Sequence, residues 1–96
     1  MQFIIRALDG ADKLEKRMAV RPRHLENMAK VKGRVICAGG LLDAEGRMRG
    51  SVLIVDLADR AALDEYLRTE PYIVEKVWET VEAEPMNVVI VNGERV

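Results

Sequence analysis

Apolar runs separated by short polar segments divide the chain into strand-like and helix-like stretches. Gln2-Phe3-Ile4-Ile5-Arg6-Ala7-Leu8 is short and mostly apolar, which predicts a strand that Asp9-Gly10 ends. From Ala11 the spacing turns helical: Leu14 and Met18 lie four apart, and Leu25, Met28 and Val31 repeat at three to four. Pro22 interrupts this stretch, because proline lacks an N–H and crowds the preceding turn. The pattern therefore predicts a short helix over 11–18 and a second over 22–32, with Gly33 as its stop. A second strand is expected over 34–42. It carries Gly39-Gly40, a pair that marks a bulge or a close approach by a ligand or another backbone. Residues 43–50 read as a hairpin connection and 51–57 as the third strand. Asp59 fits an N-cap, and Ala62, Leu63, Tyr66 and Leu67 form one helical face behind it. Glu70-Pro71-Tyr72 ends that helix, since the residue before proline disfavours the α region. A further helical turn is expected over 73–76. The last strand is best supported over 87–91, with its start anywhere back to Trp78.

The order β-α-β-β-α-β occurs once, without a repeat or a linker. It predicts one α+β domain over 1–96 with a ferredoxin-like fold: a four-stranded antiparallel sheet carrying helices on one face. Val35-Ile36-Cys37-Ala38, Val52-Leu53-Ile54-Val55 and Val88-Val89-Ile90-Val91 are apolar at successive positions. Antiparallel strands with one wet face should alternate, so these runs imply that both faces are covered. Helices cover one; the expected cover of the other is a second copy, giving a homodimer with a two-subunit sheet sandwich or barrel.

Charge narrows the partners. Fifteen Lys and Arg against sixteen Asp and Glu leave a net charge of −1, with no basic excess to attract nucleic acid. No apolar run approaches the roughly 18 residues of a membrane span, and no signal peptide is indicated. The single cysteine, Cys37, reads as a small buried apolar residue. Without disulfides or targeting segments, cytoplasmic residence is expected. One His and one Cys at unmatched spacing make no metal site, and neither a phosphate loop nor a dinucleotide fingerprint is present, so no cofactor is expected.

The candidate chemistry lies in polar residues that interrupt apolar elements. With Pro22 at a helix start, the only histidine, His24, falls in the first helical turn, where the helix dipole keeps imidazole neutral. Arg21 and Arg23 flank it and would favour an anion there. Ser51 shares a strand face with Leu53 and Val55, so its hydroxyl needs a partner among core residues. Glu70 and Tyr72 bring a carboxylate and a phenol to a helix end. Asp9 reads as a turn former or a cap, and Asp12 to Arg17 as a solvated charged face.

Asp9, Leu14-Glu15-Lys16-Arg17, Arg21-Pro22 and His24-Leu25, followed in order by Gly39-Gly40, Gly50-Ser51 and Pro71-Tyr72, resemble the signature of the YciI-like proteins over nearly the whole chain. The resemblance implies a ferredoxin-like fold pairing as a dimeric α/β barrel. It also implies an enzymatic role resting on a histidine and an acidic residue. One such relative is similar to a dehydrochlorinase of a chlorinated hydroxyquinol, and the wider superfamily includes muconolactone isomerases and small monooxygenases. The family commonly has Asp-Pro-Tyr where this chain has Glu70-Pro71-Tyr72, which moves the carboxylate by one methylene and leaves Glu70 and Asp9 as rival partners of His24. The expected function is a lyase or isomerase acting on a small anionic or phenolic molecule. His24 would be the base and Glu70 or Asp9 would orient it, while Arg21, Ser51 and Tyr72 would bind substrate. The alternative is a non-catalytic module that binds a small metabolite.

Overall fold

The computed structural model describes residues 1–96. In chain order the elements are β1 (Gln2–Asp9), α1 (Leu14–Ala29), β2 (Arg34–Leu42), β3 (Met48–Asp56), α2 (Arg60–Thr69), α3 (Pro71–Val74), β4 (Trp78–Met86), β5 (Ile90–Val91) and β6 (Glu94–Arg95). β1 to β4 form one antiparallel sheet in the order β2-β3-β1-β4, with the helices on one face. This is the ferredoxin-like arrangement. β5 and β6 make a separate small hairpin.

The core lies between the sheet and the helices. Phe3, Ile5 and Ala7 alternate inward from β1, and Leu53 and Val55 from β3. Leu63 and Tyr66 of α2, Tyr72 of α3, and Val77 and Trp78 close the layer. Ser51 points inward with them and is buried. At Gly50, β1 comes so close that an added Cβ would stand 2.4 Å from the carbonyl oxygen of Ala7. Only glycine fits there, and it seats Ser51 against β1.

Several sequence expectations are corrected. The stretch around Pro22 is one helix, not two: α1 runs unbroken from Leu14 to Ala29 with Pro22 inside it. Arg21, Pro22 and Arg23 are all exposed, so the Met18 carbonyl freed by proline faces solvent rather than an apolar core. The inward stripe of α1 is Arg17, Val20 and His24, whereas Leu14, Met18 and Leu25 stay exposed. Arg17 therefore leaves the solvated face assigned to it, and His24 sits mid-helix, away from the positive dipole end. Gly33 does not stop the helix, which is capped at Lys30; its φ of +126° instead makes the turn into β2.

The fourth strand of the sheet is Trp78–Met86, not 87–91. β4 pairs with β1 alone, so it is an edge strand, and it accordingly alternates Glu with small residues and tolerates Pro85. The apolar residues 88–91 come after it, and the last two of them are β5 of the small hairpin. Together with Ile36, Cys37 and Ile54 they border an apolar groove of about 460 Å³. Cys37 is exposed rather than buried, because its partner Ile54 faces away from the helices. The sheet face opposite the helices carries half-buried Ile4, Val52 and Ile54. No helix is long and apolar enough to cross a membrane.

Candidate active site

Glu70 is placed by three consecutive residues. Before Pro71 it takes an extended conformation, with φ −64° and ψ 120°, which ends α2. Pro71 then opens α3 at a position where a missing N–H costs nothing. The Glu70 side chain turns back as the cap of α3, accepting the Tyr72 N–H at 3.1 Å on Oε1. The cap is completely buried.

The same Oε1 lies 2.5 Å from Nδ1 of His24, and Oε2 accepts the Tyr66 hydroxyl at 2.5 Å. A fully buried carboxylate is stable only when its oxygens are met by donors. Here three groups converge on it from α1, α2 and α3. An ionised carboxylate only accepts hydrogen bonds, so its contact with Nδ1 requires a proton on that nitrogen. In the neutral ring the other nitrogen, Nε2, then has a free lone pair. Burial and the neighbouring Glu70 charge push the Tyr66 phenol far above its ordinary value, so it remains a donor.

A second polar chain lies beside the first. Arg17 donates to both oxygens of Asp9, at 2.8 and 3.1 Å, and to Ser51 Oγ at 2.7 Å. Its Nε is buried without a partner. Asp9 reaches this position at a bulge, where the β1–β4 register shifts between Leu8 and Asp9. Burial raises the Asp9 carboxyl above its ordinary range, and the Arg17 charge and hydrogen bond pull partly against that. The two chains meet on Tyr72. The His24 ring stacks on the Tyr72 ring with centroids 4.2 Å apart, and the Arg17 guanidinium lies over it at 4.7 Å. Burial also raises the Tyr72 phenol.

A cleft of about 100 Å³ opens on this assembly. Arg17, Arg21, His24, Ser51 and Tyr72 form its polar wall, and Leu25, Met28 and Leu53 part of its apolar one. Gly39 and Gly40 border it from β2, but the strand is not bulged there: its register shifts fall between Val35 and Cys37 and between Leu41 and Leu42. No group of three or more His, Cys, Asp and Glu is arranged to hold a metal ion.

Of the residues singled out from sequence, His24, Glu70 and Tyr72 come together, and Ser51 and Arg21 face the same cleft. Asp9 is not the partner of His24; its carboxylate belongs to Arg17. Arg23 lies on the surface, 3.6 Å from Glu75. Sequence reasoning missed Arg17 and Tyr66. Their signal was periodic: 17, 20 and 24 follow helical spacing through Pro22, and Tyr66 lies one helical turn before Glu70.

The YCII-related domain family matches residues 1–87. Protein YciI of Escherichia coli O6:H1 (strain CFT073) is 31% identical over 93 residues, covering 88% of this chain and 95% of that protein. Aspercryptin biosynthesis cluster protein B of Emericella nidulans is 28% identical over 87 residues, covering 81% of this chain and 56% of that protein. Among solved structures, the chain is similar to the 5-chloro-2-hydroxyhydroquinone dehydrochlorinase TftG of Burkholderia phenoliruptrix AC1100, in complex with 2,5-dihydroxybenzoquinone. The TM-score is 0.84 at 21% identity, covering 91% of this chain and 94% of that one. A crystal structure of an antibiotic biosynthesis monooxygenase has a TM-score of 0.59 at 16% identity, covering 93% of this chain and 98% of that one.

Proposed function

This chain belongs to the YCII-related domain family, and from that premise we propose that it is an acid–base enzyme of lyase or isomerase type, with His24 as general base. The observation that carries this reading is the 2.5 Å contact between His24 Nδ1 and the fully buried Glu70 carboxylate, beside a cleft that His24 lines. Glu70 holds the imidazole in the tautomer whose Nε2 accepts a proton, and it stabilises the imidazolium that forms. Arg21 and the Arg17 guanidinium favour an anionic or phenolate oxygen, while Ser51 and Tyr72 supply hydroxyls to orient it.

A lyase step follows directly. Nε2 removes a proton from a carbon or hydroxyl of the bound ring, the electron pair forms a new π bond, and an anionic leaving group departs. In an isomerase step the same nitrogen returns the proton at a second carbon. The fold likeness to the TftG dehydrochlorinase supports trying halogenated hydroxyquinols first. The protein works as a homodimer, in which the sheet face bearing Ile4, Val52 and Ile54 is covered by a second copy.

The test is turnover of halogenated hydroxyquinols and small unsaturated lactones by the purified protein, followed by halide release and product absorbance. His24→Gln should abolish turnover while the sheet and the oligomeric state stay intact. Unchanged turnover in His24→Gln would exclude this mechanism. Saturable binding of 2,5-dihydroxybenzoquinone with no turnover of any candidate would favour the binding-module alternative.

A further inference from the structure

The second oxygen of Glu70 has a partner of its own. Oε2 meets the hydroxyl of Tyr66 at 2.5 Å, on the side away from His24. We infer that Tyr66 is a positioning residue that anchors the Glu70 carboxylate and thereby fixes the proton of His24 on Nδ1. The inference rests on the reading of His24 as the base and deepens it, because it names the group that sets which imidazole nitrogen is free.

Glu70 is fully buried, so no bulk water satisfies its oxygens, and the donors around it can be counted. Oε1 has two donors, the Tyr72 N–H and His24 Nδ1, whereas Oε2 has only Tyr66. These three groups come from α3, α1 and α2, and together they are the polar partners of the carboxylate. Without the Tyr66 hydroxyl, Oε2 becomes an unpartnered oxygen in the core, and the carboxylate is free to turn about its last bond toward another donor. Turning carries Oε1 off the line of the Nδ1–H, so the bond that favours a proton on Nδ1 weakens and the tautomer protonated on Nε2 gains population. That nitrogen faces a substrate as a donor and can no longer act as a base. Tyr66 is 5% exposed, and its ring stays packed in the core whether or not the hydroxyl is present, so the effect is separable from packing.

His24 is the only histidine in the chain, so its nitrogen signals can be read without assignment ambiguity. The experiment is ¹⁵N NMR of histidine-labelled full-length protein, at a pH where the wild-type imidazole is neutral. Wild type should show a protonated Nδ1 and a bare Nε2. Tyr66→Phe should lower the ratio of the Nδ1–H to the Nε2–H form by at least about tenfold, the scale of a buried hydrogen bond to a charged group. An unchanged ratio in a folded Tyr66→Phe protein would overturn the inference. A measurement on wild type alone guards against a misfolded variant: the Tyr66 hydroxyl proton should appear as a slowly exchanging, strongly downfield resonance, and rapid exchange with water overturns the inference equally. Neither readout requires turnover. A tautomer shift in a protein that turns over no candidate keeps the role of Tyr66 and removes the enzymatic reading. Turnover that depends on His24, with a tautomer indifferent to Tyr66, does the reverse.

Discussion

The imidazole of His24 lies on the phenol ring of Tyr72, with centroids 4.2 Å apart and planes 21° apart. Stacking fixes the plane of the ring and the Glu70 bond fixes its rotation in that plane, so the imidazole has little freedom left. The Arg17 guanidinium lies over the same phenol at 4.7 Å and is itself held by Asp9 and Ser51. An imidazole and a cation are thus fixed against one rigid ring, a preorganised arrangement.

The buried Arg17–Asp9 pair should make stability depend on both partners together. Arg17→Met leaves a buried carboxylate without its cation and should cost about 3–5 kcal/mol. Asp9 already has a raised carboxyl pKa from burial, and losing Arg17 raises it further. A raised carboxyl holds its proton longer in the folded state than in the unfolded one. Its contribution to stability is therefore present below the ordinary value of 3.8 and is lost as pH rises through the folded value. Urea melts of Arg17→Met should show stability declining with rising pH over that window, and Arg17→Met with Asp9→Asn should recover most of the loss. Additive losses in the double variant would mean the pair is not coupled.

Alkaline pH should act through the two tyrosines. Tyr66 and Tyr72 are the only tyrosines, and burial raises both above the ordinary value of 10.0. A raised phenol favours the folded state fully below pH 10 and ceases to do so as pH rises beyond it, since the unfolded chain then ionises first. Phenolate absorbance should therefore appear only together with loss of the sheet signal in circular dichroism. A reversible phenolate titration centred near 10, with the sheet intact, would show that these hydroxyls are not buried as described.

Much of this architecture was readable from the chain because it rests on local physics. Asp59 accepts the Ala62 N–H at 2.9 Å as the N-cap foreseen for α2, and Glu70-Pro71 ends that helix as a pre-proline residue must. What escaped reading depends on partners distant in sequence. Arg17 belongs to the core only because Asp9 and Ser51 neutralise and satisfy it, and periodicity weighed by hydrophobicity assigns such a residue to solvent. The choice between Asp9 and Glu70 as the partner of His24 was equally non-local. The run at 88–91 looked more strand-like than β4 because β4, as an edge strand, has polar residues where a central strand has Val or Ile.

Gly40 offers a way to close the cleft without unfolding the protein. It pairs with Ser51 in register and so faces the helices. A Cβ there would meet the Cγ and Sδ of Met48 at 3.2 Å, the movable part of a flexible side chain, and the Gly50 carbonyl oxygen at an ordinary 3.7 Å. Gly40→Val should fold, gain strand propensity of up to about 1 kcal/mol, and lose ligand affinity at least about tenfold by occupying the cleft. Calorimetric titration of wild type and variant against one ligand checks this, and unchanged affinity would place the binding site elsewhere.

Pro22 is the sharpest test of α1. Were it the first residue of a helix, Pro22→Ala would be neutral or destabilising, since proline suits that position. In one continuous helix it withholds a hydrogen bond from the Met18 carbonyl and crowds it. An interior proline costs about 3 kcal/mol relative to alanine, while the stiffer unfolded chain of the proline protein returns up to about 1 kcal/mol. The helix penalty outweighs the gain from a stiffer unfolded chain. Pro22→Ala should therefore raise stability by about 2 kcal/mol in urea denaturation, with an unchanged m-value. It should also leave the His24–Glu70 contact in place, because His24 already belongs to the inward stripe that runs past Pro22. A loss of stability would mean that the chain breaks at Pro22 after all, returning His24 to the first turn of its own helix.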